Sequence, residues 1–195
     1  MDRLINHSLK DYIAVLGDEV PAPGGGSAAA AVLCCSIALY RKCLLYSSSN
    51  FKKESFDDLK ISLSNNIDES LSLIDKDKEL YLSLSELIKN KDSSLVELQR
   101  GYLDAASAPL EIVKIAVATL DLIDSSLTKI KRGFLSDIIA AISFLEAAFD
   151  SALIFVGINL KSINKSFEDF SGFKEEDIGK VKSDFKRMKK GLRDE

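Results

Sequence analysis

Apolar residues recur at three- and four-residue steps along most of this 195-residue chain, and no stretch sustains a two-residue alternation. The spacing predicts helices. The first starts at Ser8, a good N-cap, runs through Leu9, Tyr12, Ile13 and Leu16, and stops at Gly17. A loop from Asp18 to Gly25 follows, kept extended by Pro21 and Pro23. From Ser27 to about Ser47 the chain is apolar nearly all round, the pattern of a central buried helix whose alanines and cysteines let neighbours approach closely. A long amphipathic stretch, Ser55 to Lys89, carries Leu59, Leu63, Ile67, Leu71, Ile74, Leu80, Leu84 and Leu87, mostly at helical steps. Another runs from Ser94 to Ala108. Pro109 fits either the first turn of a further helix or a kink in a continuous one, reaching about Ile130. The last core helix opens at Ser136 and extends to about Leu160, and an amphipathic tail helix occupies about 175–195. Together these elements predict an all-α, up-and-down bundle with long central helices, in one domain spanning 1–195. The all-apolar helix needs more cover than surface helices provide, which points to a dimer.

Composition agrees: 46% hydrophobic and 29% charged residues are ordinary globular usage, and three prolines and ten glycines leave room for long helices. The net charge of −4 argues against a nucleic-acid partner. The one basic cluster, Lys186, Arg187, Lys189 and Lys190, is interspersed with acids and reads as a solvated face. Cys34, Cys35 and Cys43 have neither disulfide nor zinc spacing and read as small buried hydrophobes. His7 is the sole histidine, so a histidine triad or a metal site is not expected. The apolar run from Ala28 to Tyr40, stopped by Arg41 and Lys42, is short for a membrane span, and the first residues form no secretory segment; the expected compartment is the cytoplasm.

The segment richest in chemistry is Pro21-Ala22-Pro23-Gly24-Gly25-Gly26-Ser27, directly before the all-apolar helix. Three glycines permit positive φ and close approach of backbone to a ligand. The free N–H groups of the helix start then offer an anion or carbonyl site, aided by the helix dipole. No Lys-Ser/Thr follows the glycines, so this is not a nucleotide-binding P-loop.

At these residues the chain resembles the cyclodeaminase/cyclohydrolase enzymes of folate metabolism, which include the deaminase part of formiminotransferase-cyclodeaminase and stand-alone methenyltetrahydrofolate cyclohydrolases. Their Pro-x-Pro-Gly-Gly-Gly-Ser loop and Ala-rich helix match Pro21 to Ala31. An Asp followed four residues on by an aromatic matches Asp77 and Tyr81, and an Ala-x-x-Pro-Leu-Glu motif matches Ala106, Pro109, Leu110 and Glu111. A fourth stretch runs from Ser136-Asp137 through Glu146 to Ile158-Asn159-Leu160. The resemblance implies an all-α homodimer acting on a tetrahydrofolate that carries a one-carbon unit, with no cofactor besides the folate. It implies either water addition to the methenyl bridge between N5 and N10, or expulsion of ammonia from a 5-formimino group as N10 closes that bridge. Hydrolysis is the favoured reading because no formiminotransferase domain is attached. The close rival is the cyclodeaminase, and a third reading is a member that binds folate or a protein without turnover.

Either reaction passes through a tetrahedral carbon flanked by nitrogens and needs a carboxylate for proton transfer. The resemblance nominates Asp137, Asp77 and Glu146 as catalytic. For substrate binding it nominates Pro23, Gly24, Gly25, Gly26, Ser27, Ser136 and Asn159, with Lys52 for a glutamate tail. Around an ideal helix Glu146 lies roughly 180° from Asp137, and Asn159 roughly 40° from it but about six turns away. Asp137 follows Ser136, the expected N-cap. The chain also departs from the family pattern: Gly133 and Phe155 stand where asparagines are usual, and Ser151 where a glycine is. Phe155 falls on the same helical face as Asp137.

Overall fold

The computed structural model describes residues 3–193. Among them are seven α-helices and no strand: α1 (Leu9–Leu16), α2 (Gly25–Tyr46), α3 (Lys53–Lys89), α4 (Leu95–Ser126), α5 (Leu135–Lys161), α6 (Phe167–Ser171) and α7 (Glu175–Arg193). Ser8 caps α1 by accepting from the Asp11 N–H, and Ser94 and Glu97 form a capping box at the start of α4. The tail helix expected to reach 195 is described to Arg193; its last two positions lie outside the described residues.

Helix α2 packs on α3 and α5, and α4 packs on the same two, closing an up-and-down bundle. Antiparallel pairing of α2 with α5 is visible at both ends. Gly25 lies against Phe155, whereas Lys42 pairs with Asp137 at 3.6 Å. Leu33, Ile37, Leu63, Ile112, Ile142 and Leu145 are fully buried between these helices; each such side chain stabilises by about 1.5–3 kcal/mol. Buried hydroxyls find partners across the core. Ser36 donates to the Ala141 carbonyl at 2.7 Å, and Tyr40 shares a 2.6 Å bond with Ser126. Helix α7 closes one flank by setting Phe185 against Phe149, ring centroids 5.7 Å apart.

Several boundaries differ from the sequence reading, each for a physical reason. Helix α2 begins at Gly25 rather than Ser27, so two of the three glycines are helical. Helix α4 is continuous through Pro109. A 3-10 turn, Arg132–Phe134, feeds directly into α5, so the first helical residue is Leu135 and Phe134 is the cap position. Ser136 is therefore inside the first turn and caps nothing, and Asp137 is the third residue rather than the first. Helix α6 is too short to leave a periodic signal.

The helix expected to be buried all round is not. Helix α2, and α5 beside it, are long and apolar enough to cross a membrane by length and composition, although the run from Ala28 to Tyr40 alone is short for one. Only 44% and 39% of their most apolar windows are buried, because a bundle helix touches two neighbours and its outer side needs a further layer. Cys35, expected inside, lies on that uncovered side, whereas Cys34 and Cys43 are buried and burial pushes their thiols up to about 12 and 11.

Candidate functional site

At the end of the bundle where α2 starts and α5 finishes, a cavity of about 330 Å³ opens among four segments. The loop and first turn of α2 supply Pro21, Ala22, Gly24, Gly25 and Gly26; α3 supplies Asp77 and Tyr81; α4 supplies Ala105; α5 supplies Phe155, Ile158 and Asn159. Asp77 and Tyr81, like Phe155 and Asn159, are four residues apart and so project from one helical face.

The glycines serve this cavity by being small. None of Gly24, Gly25 and Gly26 takes a positive φ, contrary to the expectation from sequence. A Cβ on Gly25 would instead land in the Phe155 ring, and one on Gly26 would land on the Asp77 carboxylate. Close approach of side chains from α3 and α5 to the helix start is what excludes larger residues. Gly24, by contrast, has nothing within 4 Å of where its Cβ would be.

Among the described residues, Asp77 is the one carboxylate lining the cavity. Burial pushes its carboxyl above the usual range, and a hydrogen bond from the Ser27 backbone N–H pulls in the opposite direction. The anion expected at the start of α2 is thus partly supplied by the protein itself. Ser27 also joins Asp77 to Tyr12: the Tyr12 hydroxyl and Ser27 Oγ are 3.3 Å apart. Burial raises the Tyr12 phenol, and the Asp77 charge adds to that rise. Behind this layer Asp75 accepts the Leu4 N–H at 2.6 Å and faces Arg3 at 3.4 Å, tying the N-terminal turn to α3. Asn159 commits its Nδ2 to the Phe155 carbonyl at 3.0 Å. The result is an apolar cleft with aromatic walls, one amide and one carboxyl that burial makes a weaker acid than an exposed aspartate.

The sequence model of formiminotransferase-cyclodeaminase matches residues 8–170. The chain belongs to this family. Its fold is also that of a solved formiminotetrahydrofolate cyclodeaminase from Thermotoga maritima, at 21% identity, with 97% of this chain and 95% of that one covered and a TM-score of 0.81. No curated protein sequence matches.

Within this family member the nominated residues divide into groups. Asp77, Gly24, Gly25, Gly26 and Asn159 meet in the cavity, and Pro23 and Ser27 are buried immediately behind the glycines. Ser136 and Asp137 lie at the opposite end of α5 from Asn159, about 33 Å away along the helix. Asp137 there pairs with Lys42. Glu146, midway along α5, bonds to Lys189 of α7 on another side of the bundle. Lys52 is exposed just before α3, many turns from Asp77. Tyr12 reads in the sequence only as an apolar-stripe position of α1, and its link to Ser27 exists only once α1 folds over α2. Phe155 reads in the sequence as a departure from the family pattern, and its helical spacing to Asn159 is the signal that it shares the cleft.

Proposed function

We propose that this protein is a folate one-carbon enzyme that closes the bridge of 5-formiminotetrahydrofolate with release of ammonia. The observation that carries the reading is Asp77, a carboxyl with a raised pKa on the floor of an apolar, aromatic-walled cavity. In this scheme the pterin lies between Tyr81 and Phe155, and Asp77 gives its proton to the imino nitrogen. The N10 lone pair then forms a bond to the formimino carbon, giving a tetrahedral carbon with three nitrogens. The Asp77 carboxylate takes the N10 proton and passes it to the departing amine. The carbon–nitrogen bond to ammonia breaks, and the N5 lone pair restores the double bond of the methenyl bridge. Each step moves one proton through one carboxyl, which is why its pKa needs to lie nearer neutrality than that of an exposed aspartate. Apolar walls keep water from the product bridge.

Hydrolysis of the methenyl bridge is the second reading. It is favoured by the Ser27 N–H, which stabilises the ionised Asp77 that a water nucleophile requires as base. In both readings the folate is the substrate, no other cofactor enters, and the protein works as a homodimer that covers the open side of α2 and α5. The test is spectroscopic: the methenyl compound absorbs in the near ultraviolet, so its formation from the formimino substrate and its loss by hydrolysis are followed directly. Asp77→Asn should lower whichever rate is present by at least about a hundredfold. A parent protein without either turnover would overturn the enzyme reading and leave a folate or protein binder.

A further inference from the structure

Helix α2 starts without a side-chain cap of its own. Gly24 occupies the N-cap position and Gly25 and Gly26 follow, so the first side chain of the helix is that of Ser27. The first backbone bond runs from the Ala28 N–H to the Gly24 carbonyl, which leaves the N–H groups of Gly25, Gly26 and Ser27 outside the helical ladder. Ser27 is held from two sides. Its N–H donates to Asp77 of α3, in the manner of an N-cap supplied by another helix. Its hydroxyl, fully buried, meets the Tyr12 hydroxyl of α1 at 3.3 Å. Burial raises the Tyr12 phenol and the Asp77 charge adds to the rise, so Tyr12 stays neutral and serves as a hydrogen-bonding group rather than a second anion. The same N-terminal segment grips α3. Asp75, buried two residues before Asp77, accepts the Leu4 N–H at 2.6 Å and faces Arg3 at 3.4 Å. Both ends of the bond between Ser27 and Asp77 are thus tied to residues 3–12.

We propose that Tyr12 is a positioning residue of this site: through the Ser27 hydroxyl it holds the first turn of α2 where the Ser27 N–H meets Asp77, and so fixes the direction in which that carboxyl faces the cavity. The inference rests on Asp77 as the proton-transfer group of the reaction proposed above. Tyr12 is not among the residues that line the cavity, so it acts through Ser27 and not on the ligand. Without the phenol oxygen, Ser27 Oγ is left buried without that partner and turns toward a nearby backbone carbonyl instead. A first turn whose other residues are glycines has no further side chain with which to resist that shift. The consequence falls on the transition state, where a proton has to travel along a set direction, and not on binding by the cavity walls.

The test compares Tyr12→Phe, Ser27→Ala and the variant carrying both in the methenyl absorbance assay. Each single change should lower kcat about tenfold, less than the roughly hundredfold that a full 1 Å of misplacement costs, with KM within about twofold of the parent. The double variant should be no worse than either single one, because both remove the same link, whereas independent effects would multiply to about a hundredfold. A second measurement needs no turnover: amide hydrogen exchange followed residue by residue by NMR. In Tyr12→Phe the Ser27 N–H should exchange about tenfold faster, while the N–H of Ile142, fully buried in the middle of α5, keeps its parental rate. Faster exchange at Ser27 alone, together with the shared kcat loss in a parent that turns over, supports the proposal. Parental kcat in Tyr12→Phe overturns it. Unchanged exchange at Ser27 also overturns it, as does an equal rise at Ile142, which would mark a loss of general stability. A parent without turnover sinks the folate reading, and the exchange rates then decide the role of Tyr12 in holding Ser27 alone.

Discussion

Replacing Gly26 by alanine should damage this protein out of proportion to one methyl group. The new Cβ would occupy the position of the Asp77 carboxylate, so either that side chain or the start of α2 must move. Overpacking of this kind costs about 1–3 kcal/mol. Alanine returns part of that, because it is the better helix former by up to about 1 kcal/mol, though less in a first turn. The net loss is therefore about 1–2 kcal/mol, which for a chain of this length lowers Tm by roughly 2–8 °C. Turnover should suffer more, since misplacing a catalytic group by about 1 Å costs on the order of a hundredfold. The control is Gly24→Ala, where no atom lies within 4 Å of the added Cβ and the φ of −129° suits alanine. Calorimetry and the methenyl absorbance assay on both variants decide the matter. If Gly26→Ala and Gly24→Ala match in Tm and rate, the close contact between α2 and Asp77 is not a constraint.

Three further outcomes follow from the core and its charges. Burial raises the Asp77 carboxyl, so the folded state holds this proton more tightly than the unfolded chain; the resulting stability is complete below the ordinary carboxylate value and is lost as pH rises through the raised one. Asp77→Asn should accordingly be more stable than the parent at neutral pH, with the difference vanishing below about pH 4, as urea titrations across pH will report. Tyr40→Phe removes the buried bond to Ser126 and should cost about 1–2 kcal/mol by the same titration at fixed pH. Phe185→Ala, which takes from α7 a fully buried ring set against Phe149, should cost about 3–5 kcal/mol; a loss under about 1 kcal/mol would show that the tail helix is dispensable to the core.

The sequence located the long helices because their apolar stripes persist over many turns, and tertiary packing did not need to be known to see them. It misjudged the ends for local reasons. Gly25 and Gly26 read as preceding the helix, yet both are helical, and their missing side chains leave the space that Phe155 and Asp77 take. Ser136 read as a cap, yet the preceding 3-10 turn already starts the helix. In the site, Asp77 was hard to separate from its charged neighbours Lys76, Lys78 and Glu79, since which carboxylate turns inward depends on where α2 begins. Asp137 and Asn159 were placed on nearly one helical face, and no chain pattern states whether 33 Å is bridged by a second copy. Phe155 looked like the loss of an amide, whereas in the fold it is a wall.

Pro109 has one more effect. Proline has no N–H to give, and Pro109 follows Ala105 by four residues, so the Ala105 carbonyl has no donor in the ladder of α4. Ala105 is also where α4 borders the cavity. The segment of α4 that borders the cavity thereby lacks one rung of its helical bonding ladder. Any residue other than proline at position 109 would restore that ladder bond, whatever side chain stood at position 105.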